Sequence, residues 1–189
     1  SQLWLRLLEQ TAAQPLTGTE GASLPFWSPD SQSLGFFADG AVKRVDVGGG
    51  PPRTLVSTAD GASGGSWNAD GVIVFAADVG SLNRVPATGT SGGAAVAVTT
   101  LAPGQTAHRF PQFLPDGRQF VFFARGNVAS AGLYLGSLDS PEVIRLAASD
   151  SSARFLAPDW LLFLRQGTLF AQHLDLSGRA LTGEPVPVA

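Results

Sequence analysis

Pro25-Phe26-Trp27-Ser28-Pro29-Asp30, followed by the apolar run Ser33-Leu34-Gly35-Phe36-Phe37, decides how this chain folds, because the phrase returns three more times. The other copies are Gly65-Ser66-Trp67-Asn68-Ala69-Asp70, Pro111-Gln112-Phe113-Leu114-Pro115-Asp116 and, one residue longer, Ala153-Arg154-Phe155-Leu156-Ala157-Pro158-Asp159. Each is an aromatic anchor, a tight turn ending in Asp, and an apolar run. The anchors Trp27, Trp67, Phe113 and Phe155 are spaced by 40, 46 and 42 residues, the period of one four-stranded propeller blade. The spacing predicts an all-β chain, a β-propeller of antiparallel blades.

Working outward, the turn Ser28-Pro29-Asp30-Ser31 places Pro where its fixed φ suits the first central position. Asp follows, where its carboxylate can bond the local backbone. This makes a hairpin of the first two strands. Third strands are read at Ala41–Asp46, Ser81–Val85, Gly132–Asp139 and Thr168–Asp175, and outer strands at Arg53–Val56, Ala95–Val98, Glu142–Leu146 and Pro185–Val188. Leu3–Glu9 and Gln14–Gly18 match a third and a fourth strand with nothing before them. One array over 1–189 is expected, with a half blade at 1–18 and whole blades at 19–57, 58–99, 100–147 and 148–189. An array left open exposes strand edges and an apolar face, so a homodimer that covers them is an expected partner state.

Composition narrows the function classes. With one lysine, eleven scattered arginines and a formal charge of −3, no basic stripe exists to follow a phosphate backbone, and nucleic acid is not an expected partner. No apolar run approaches the roughly 20 residues of a membrane span, so membrane insertion of this segment is not expected. Cysteine is absent, which removes disulfides and thiolate metal sites but assigns no compartment. The start at Ser1 and the lack of methionine read as a segment of a longer protein or an excised scaffold.

Phe26-Trp27-Ser28-Pro29-Asp30, together with Val45-Asp46, Gly48-Gly49-Gly50-Pro51-Pro52 and Arg53-Thr54-Leu55, resembles the TolB-type, WD-repeat-like propeller unit over essentially the whole chain. Leu3-Trp4-Leu5-Arg6, Gly65-Ser66-Trp67-Asn68 and His108–Gly117 are similar to the C-terminal propellers of bacterial serine/threonine protein kinases. The resemblance implies a sensor or binding role outside the cytoplasm, periplasmic or extracellular. It supplies no residue-level mechanism, and no kinase motif occurs in this sequence.

Function on a propeller sits on loops at a channel mouth. The loops before each innermost strand and between second and third strands bring a mixed-charge rim to one face. Its expected binding residues are Glu20, Asp60, Asp78, His108, Arg109, Arg125, Asp150 and Arg165, with Asp39 and Gln166 beside them. The ligand expected there is a protein, a peptide or a small polar molecule, with no cofactor, no metal and no catalytic residue assigned. A hydrolase or lyase built around His108 and Arg109 is the alternative, and the sequence leaves enzyme activity undecided. Gly61–Gly65 and Gly89–Gly93 fit Gly-x-Ser-x-Gly, but neither precedes a helix, so both read as connectors. The repeated Asp30, Asp70, Asp116 and Asp159 read as turn caps. The four aromatic anchors read as packing between blades.

Overall fold

Alternation of apolar residues along short strands turns each repeat into a sheet with two buried faces, one against the blade before it and one against the blade after it. The computed structural model describes residues 1–58, 61–89 and 94–188. Among these there is no helix, and the chain forms four four-stranded sheets and one two-stranded sheet. The half blade pairs β1 (Trp4–Leu5) with β2 (Gln14–Pro15). Blade 1 runs β3 (Ser23–Trp27), β4 (Ser33–Ala38), β5 (Ala41–Asp46), β6 (Arg53–Ser57), and blade 2 runs β7 (Gly65–Trp67), β8 (Val72–Ala76), β9 (Leu82–Pro86), β10 (Val96–Ala97). Blade 3 contains β11 (Gln105–Phe113), β12 (Gln119–Gly126), β13 (Gly132–Ser137) and β14 (Ile144–Ala147). Blade 4 contains β15 (Arg154–Leu156), β16 (Trp160–Arg165), β17 (Thr168–Asp175) and β18 (Ala180–Pro187). Among the described residues, every pairing between these strands is antiparallel and sequential, and an isolated parallel bridge joins Gly80 to Ala107 between blades 2 and 3.

The seams show the period-2 rule directly. On β8, Ile73 and Phe75 pack with Phe37, Val42 and Leu55 of blade 1, while Val74 and Ala76 pack with Phe120, Phe122 and Ala124 of blade 3. On β12, Val121 turns the other way, to Leu161 and Phe163 of blade 4. Leu34, Phe36 and Ala38 of β4 close over Leu16 and Leu5 of the half blade. Phe36, Phe120 and Phe122 are almost wholly buried, each adding about 2 kcal/mol of hydrophobic stabilisation as an upper estimate.

Two of the anchor and turn expectations divide. Trp67, Phe113 and Phe155 pack on the seam to the preceding blade. Trp27 does not: it joins none of the seam clusters and is 50% exposed. Asp30 and Asp116 cap their turns through Gln32 N–H, and through Arg118 and Gln119 N–H. In blade 2 the Asn68 amide oxygen takes the Val72 N–H, and the Asp159 carboxylate is turned to His173 Nδ1 at 2.9 Å. His173 also lies on Trp160, with ring centroids 3.7 Å apart.

Candidate functional site

Three of the four blades share, ahead of the anchor, a backbone feature that the repeat alone does not announce. Three residues ahead of the anchor, Leu24, Gly64 and Phe110 all have positive φ, at 48°, 95° and 52°. In β3 and β11 the ladder slips there, between Ser23 and Phe26 and between Arg109 and Gln112. A left-handed conformation is cheap for glycine and costs an L-residue roughly 1–2 kcal/mol through the Cβ–carbonyl clash. Blade 2 therefore meets the requirement with Gly64, whereas blades 1 and 3 meet it with Leu24 and Phe110, both 39% exposed. The two side chains, with Pro25, Pro111, Gly64 and Arg154, line a cavity of about 90 Å³ where all four blades converge on the axis.

Arg154 occupies the position immediately before its anchor. In blades 2 and 3 that position clasps the next blade: Phe113 N–H donates to Ser66 Oγ at 2.9 Å, and Phe155 N–H to Gln112 Oε1 at 3.0 Å. In blade 4 the same position holds Arg154, which is exposed at the axial cavity.

Beside this mouth the structure brings together Asp78, His108 and Arg109 of the expected rim. Asp78 Oδ1 accepts from Ser63 Oγ at 2.8 Å, and its carbonyl accepts from Arg109 Nη2 at 2.7 Å. His108 is not on the rim surface. It is wholly buried, 4.6 Å from the Phe122 ring, with Nδ1 2.8 Å from Thr99 Oγ1 and Nε2 2.9 Å from Gln105 Oε1. Because Gln105 Oε1 can only accept, Nε2 carries the proton and Nδ1 accepts from the Thr99 hydroxyl. Burial pushes the His108 pKa down to about 4, so the ring is neutral, fully engaged and without a path to a substrate. The backbone N–H of His108 donates to the Gly80 carbonyl at 2.8 Å, which ties blade 3 to blade 2.

The remaining rim residues are dispersed. Glu20 is exposed and accepts from Gln2 Nε2 at 3.3 Å. Arg125 is an exposed residue of β12, opposite Ala107. Asp150 accepts the Gly167 N–H at 3.3 Å, and the Arg165 guanidinium lies 4.6 Å from the Phe170 ring centroid. Asp60 lies outside the described residues, as does most of Gly89–Gly93. Ser63 of the other Gly-x-Ser-x-Gly stretch is 2% exposed and leads into β7. The residues that sequence reasoning missed are Leu24, Phe110 and Arg154. The signal for Leu24 and Phe110 was the recurrence of an apolar residue before proline at the same offset from Trp27 and Phe113; Arg154 had none. At the opposite axial end, Trp67, Phe113, Phe155, Pro29 and Pro115 line an apolar hollow of about 520 Å³.

Similar arrays occur among solved structures. TolB from Acinetobacter baumannii superposes with a TM-score of 0.73 at 16% identity, over 98% of this chain and 48% of that one. The fold is that of a TolB-like β-propeller. Oligogalacturonate lyase in complex with manganese gives a TM-score of 0.69 at 16% identity over 100% of this chain and 58% of the lyase. A gluconolactonase from Xanthomonas campestris gives 0.67 at 15%, over 86% and 60%. This TolB-like chain thus spans about half to three-fifths of the length of these proteins. No protein-family model and no curated protein matches it.

Proposed function

We propose that the chain is a non-catalytic interaction module that binds a protein or peptide at the axial mouth framed by Leu24, Phe110 and Arg154. The observation that carries this reading is the left-handed backbone at Leu24 and Phe110. Strain of this kind persists where side chains serve a purpose that folding does not require, and Gly64 fills the equivalent place without strain. Phe110 and Arg154 are of residue types enriched at protein interfaces, and Leu24 adds exposed apolar surface beside them. Similar folds include a lyase and a lactonase as well as TolB, and fold does not choose among these activities.

The test is selection from a random peptide library displayed on phage, followed by binding to Leu24→Gly and Phe110→Gly. Both variants suit the left-handed backbone, and relief of its strain is expected to offset roughly the burial lost with each side chain, leaving stability within about 1 kcal/mol of the parent. Selected peptides are expected to carry an apolar side chain with a nearby carboxylate and to lose binding to both variants. Equal binding to parent and variants, or no enrichment, overturns the reading.

A further inference from the structure

The hollow between the half blade and the outer end of blade 1 belongs to neither axial mouth. It measures about 520 Å³, within the roughly 300–1,000 Å³ range of small-molecule sites. Its floor is apolar: Leu5, Leu16 and Val45, with Leu16 and Val45 buried. Its rim carries Gln10, Gln14, Gln32 and Thr17, and no ionisable side chain lines it.

Local structure fixes where these amides start. Gln10 N–H closes a turn onto the Leu7 carbonyl, Gln14 pairs with Leu5, and Gln32 is held by its N–H on Asp30 Oδ1 and by Val47 N–H on its carbonyl. Among the described residues, the side-chain amides of Gln10 and Gln14 and the Thr17 hydroxyl bond to no other protein group. Gln32 Nε2 reaches only the Asp30 carbonyl, at 3.5 Å.

The opposite wall is Gly48-Gly49-Gly50, and a Cβ on any of the three would meet nothing within 4 Å. Gly49 and Gly50 need glycine for φ of 101° and 109°, but Gly48 has no such requirement. Neither backbone conformation nor packing requires glycine at 48, so the wall of the hollow accepts a larger side chain there.

We infer that this hollow is a binding site for a neutral, polyhydroxylated ligand, a sugar or polyol, with one C–H face on the apolar floor and hydroxyls on the glutamine amides. A charged ligand would be desolvated there without a counter-charge. A purely apolar one would bury amides without partners. A diol matches the side-by-side acceptor and donors of each amide. The inference is independent of the axial site.

The experiment is saturation-transfer NMR of the full chain with maltose, cellobiose, trehalose and myo-inositol, with glucuronate as the anionic comparison. At least one neutral compound is expected to bind saturably at about millimolar concentration, and glucuronate roughly tenfold more weakly. Gly48→Trp adds bulk at the wall of the hollow at a position without positive φ and is expected to abolish binding with the circular dichroism unchanged. Gln10→Leu, on an exposed turn, is expected to weaken binding several-fold. The inference is overturned if none of the neutral compounds binds, if Gly48→Trp binds as the parent does, or if glucuronate binds equally.

Discussion

His108 shows how one residue's environment sets its role. In the folded chain it stays neutral down to about pH 4, whereas an unfolded histidine takes its proton near pH 6.5. Between those values the unfolded state binds more protons, so stability falls as the pH drops from about 6.5 to about 4. The shift is worth up to roughly 3 kcal/mol. Asp30, Asp46, Asp139 and Asp175 are held below the ordinary carboxylate range, chiefly by the Ser28 hydroxyl, the Ser33 hydroxyl, Arg118 and the Gly178 N–H respectively. They lose stabilisation only below that window. Urea midpoints measured from pH 7 to pH 4 are therefore expected to fall steeply for the parent and much less for His108→Gln. The variant is weaker at pH 7 by about 1–3 kcal/mol, because Thr99 and Gln105 lose a partner. Parallel curves would refute this account. The sequence put His108 on the rim, because it lies just before the innermost strand of its blade; its burial against Phe122, Thr99 and Gln105 is set by tertiary packing that local pattern does not show. The left-handed Leu24 and Phe110 were not legible either, because a residue before proline is normally driven toward the extended region, and the local rule pointed away from what the bulge imposes.

At the scale of the element, the seam between blades 1 and 2 turns on Phe26. Its ring lies where a Cβ on Gly35 would overlap it, and a Cβ on Gly65 would stand 2.5 Å from Cε1. Gly35 sits mid-strand with no positive φ, so packing explains it. Gly35→Ala is expected to cost about 1–3 kcal/mol through overpacking. Adding Phe26→Ala to it is expected to recover part of that loss, giving a double-mutant cycle with a coupling above roughly 0.5 kcal/mol. Additive urea-denaturation energies would show that the two residues do not share the seam. Strand order and blade phasing were legible here, because alternation and turn chemistry are local. The clasps made by Ser66 and Gln112 were not, since each joins residues more than 40 positions apart.

Across the whole molecule, equal-looking anchors are not equal. Trp67 has blade 1 behind it and the Arg44 guanidinium 5.2 Å from its ring centroid, so Trp67→Ala is expected to cost about 3 kcal/mol. Trp27, half-exposed and outside every seam cluster, is expected to lose clearly less than Trp67 on the same change. Comparable losses in thermal or urea unfolding would mean that Trp27 is packed in solution. The sequence by itself determined the repeat, its period, the four whole blades and the half blade, because each follows from periodicity, turn residues and spacing along the chain. Only the tertiary structure decided which copies of a repeated position are buried, strained or exposed. Burial is set by the neighbouring blade, and a repeating sequence carries the same residue type whether or not that neighbour is there.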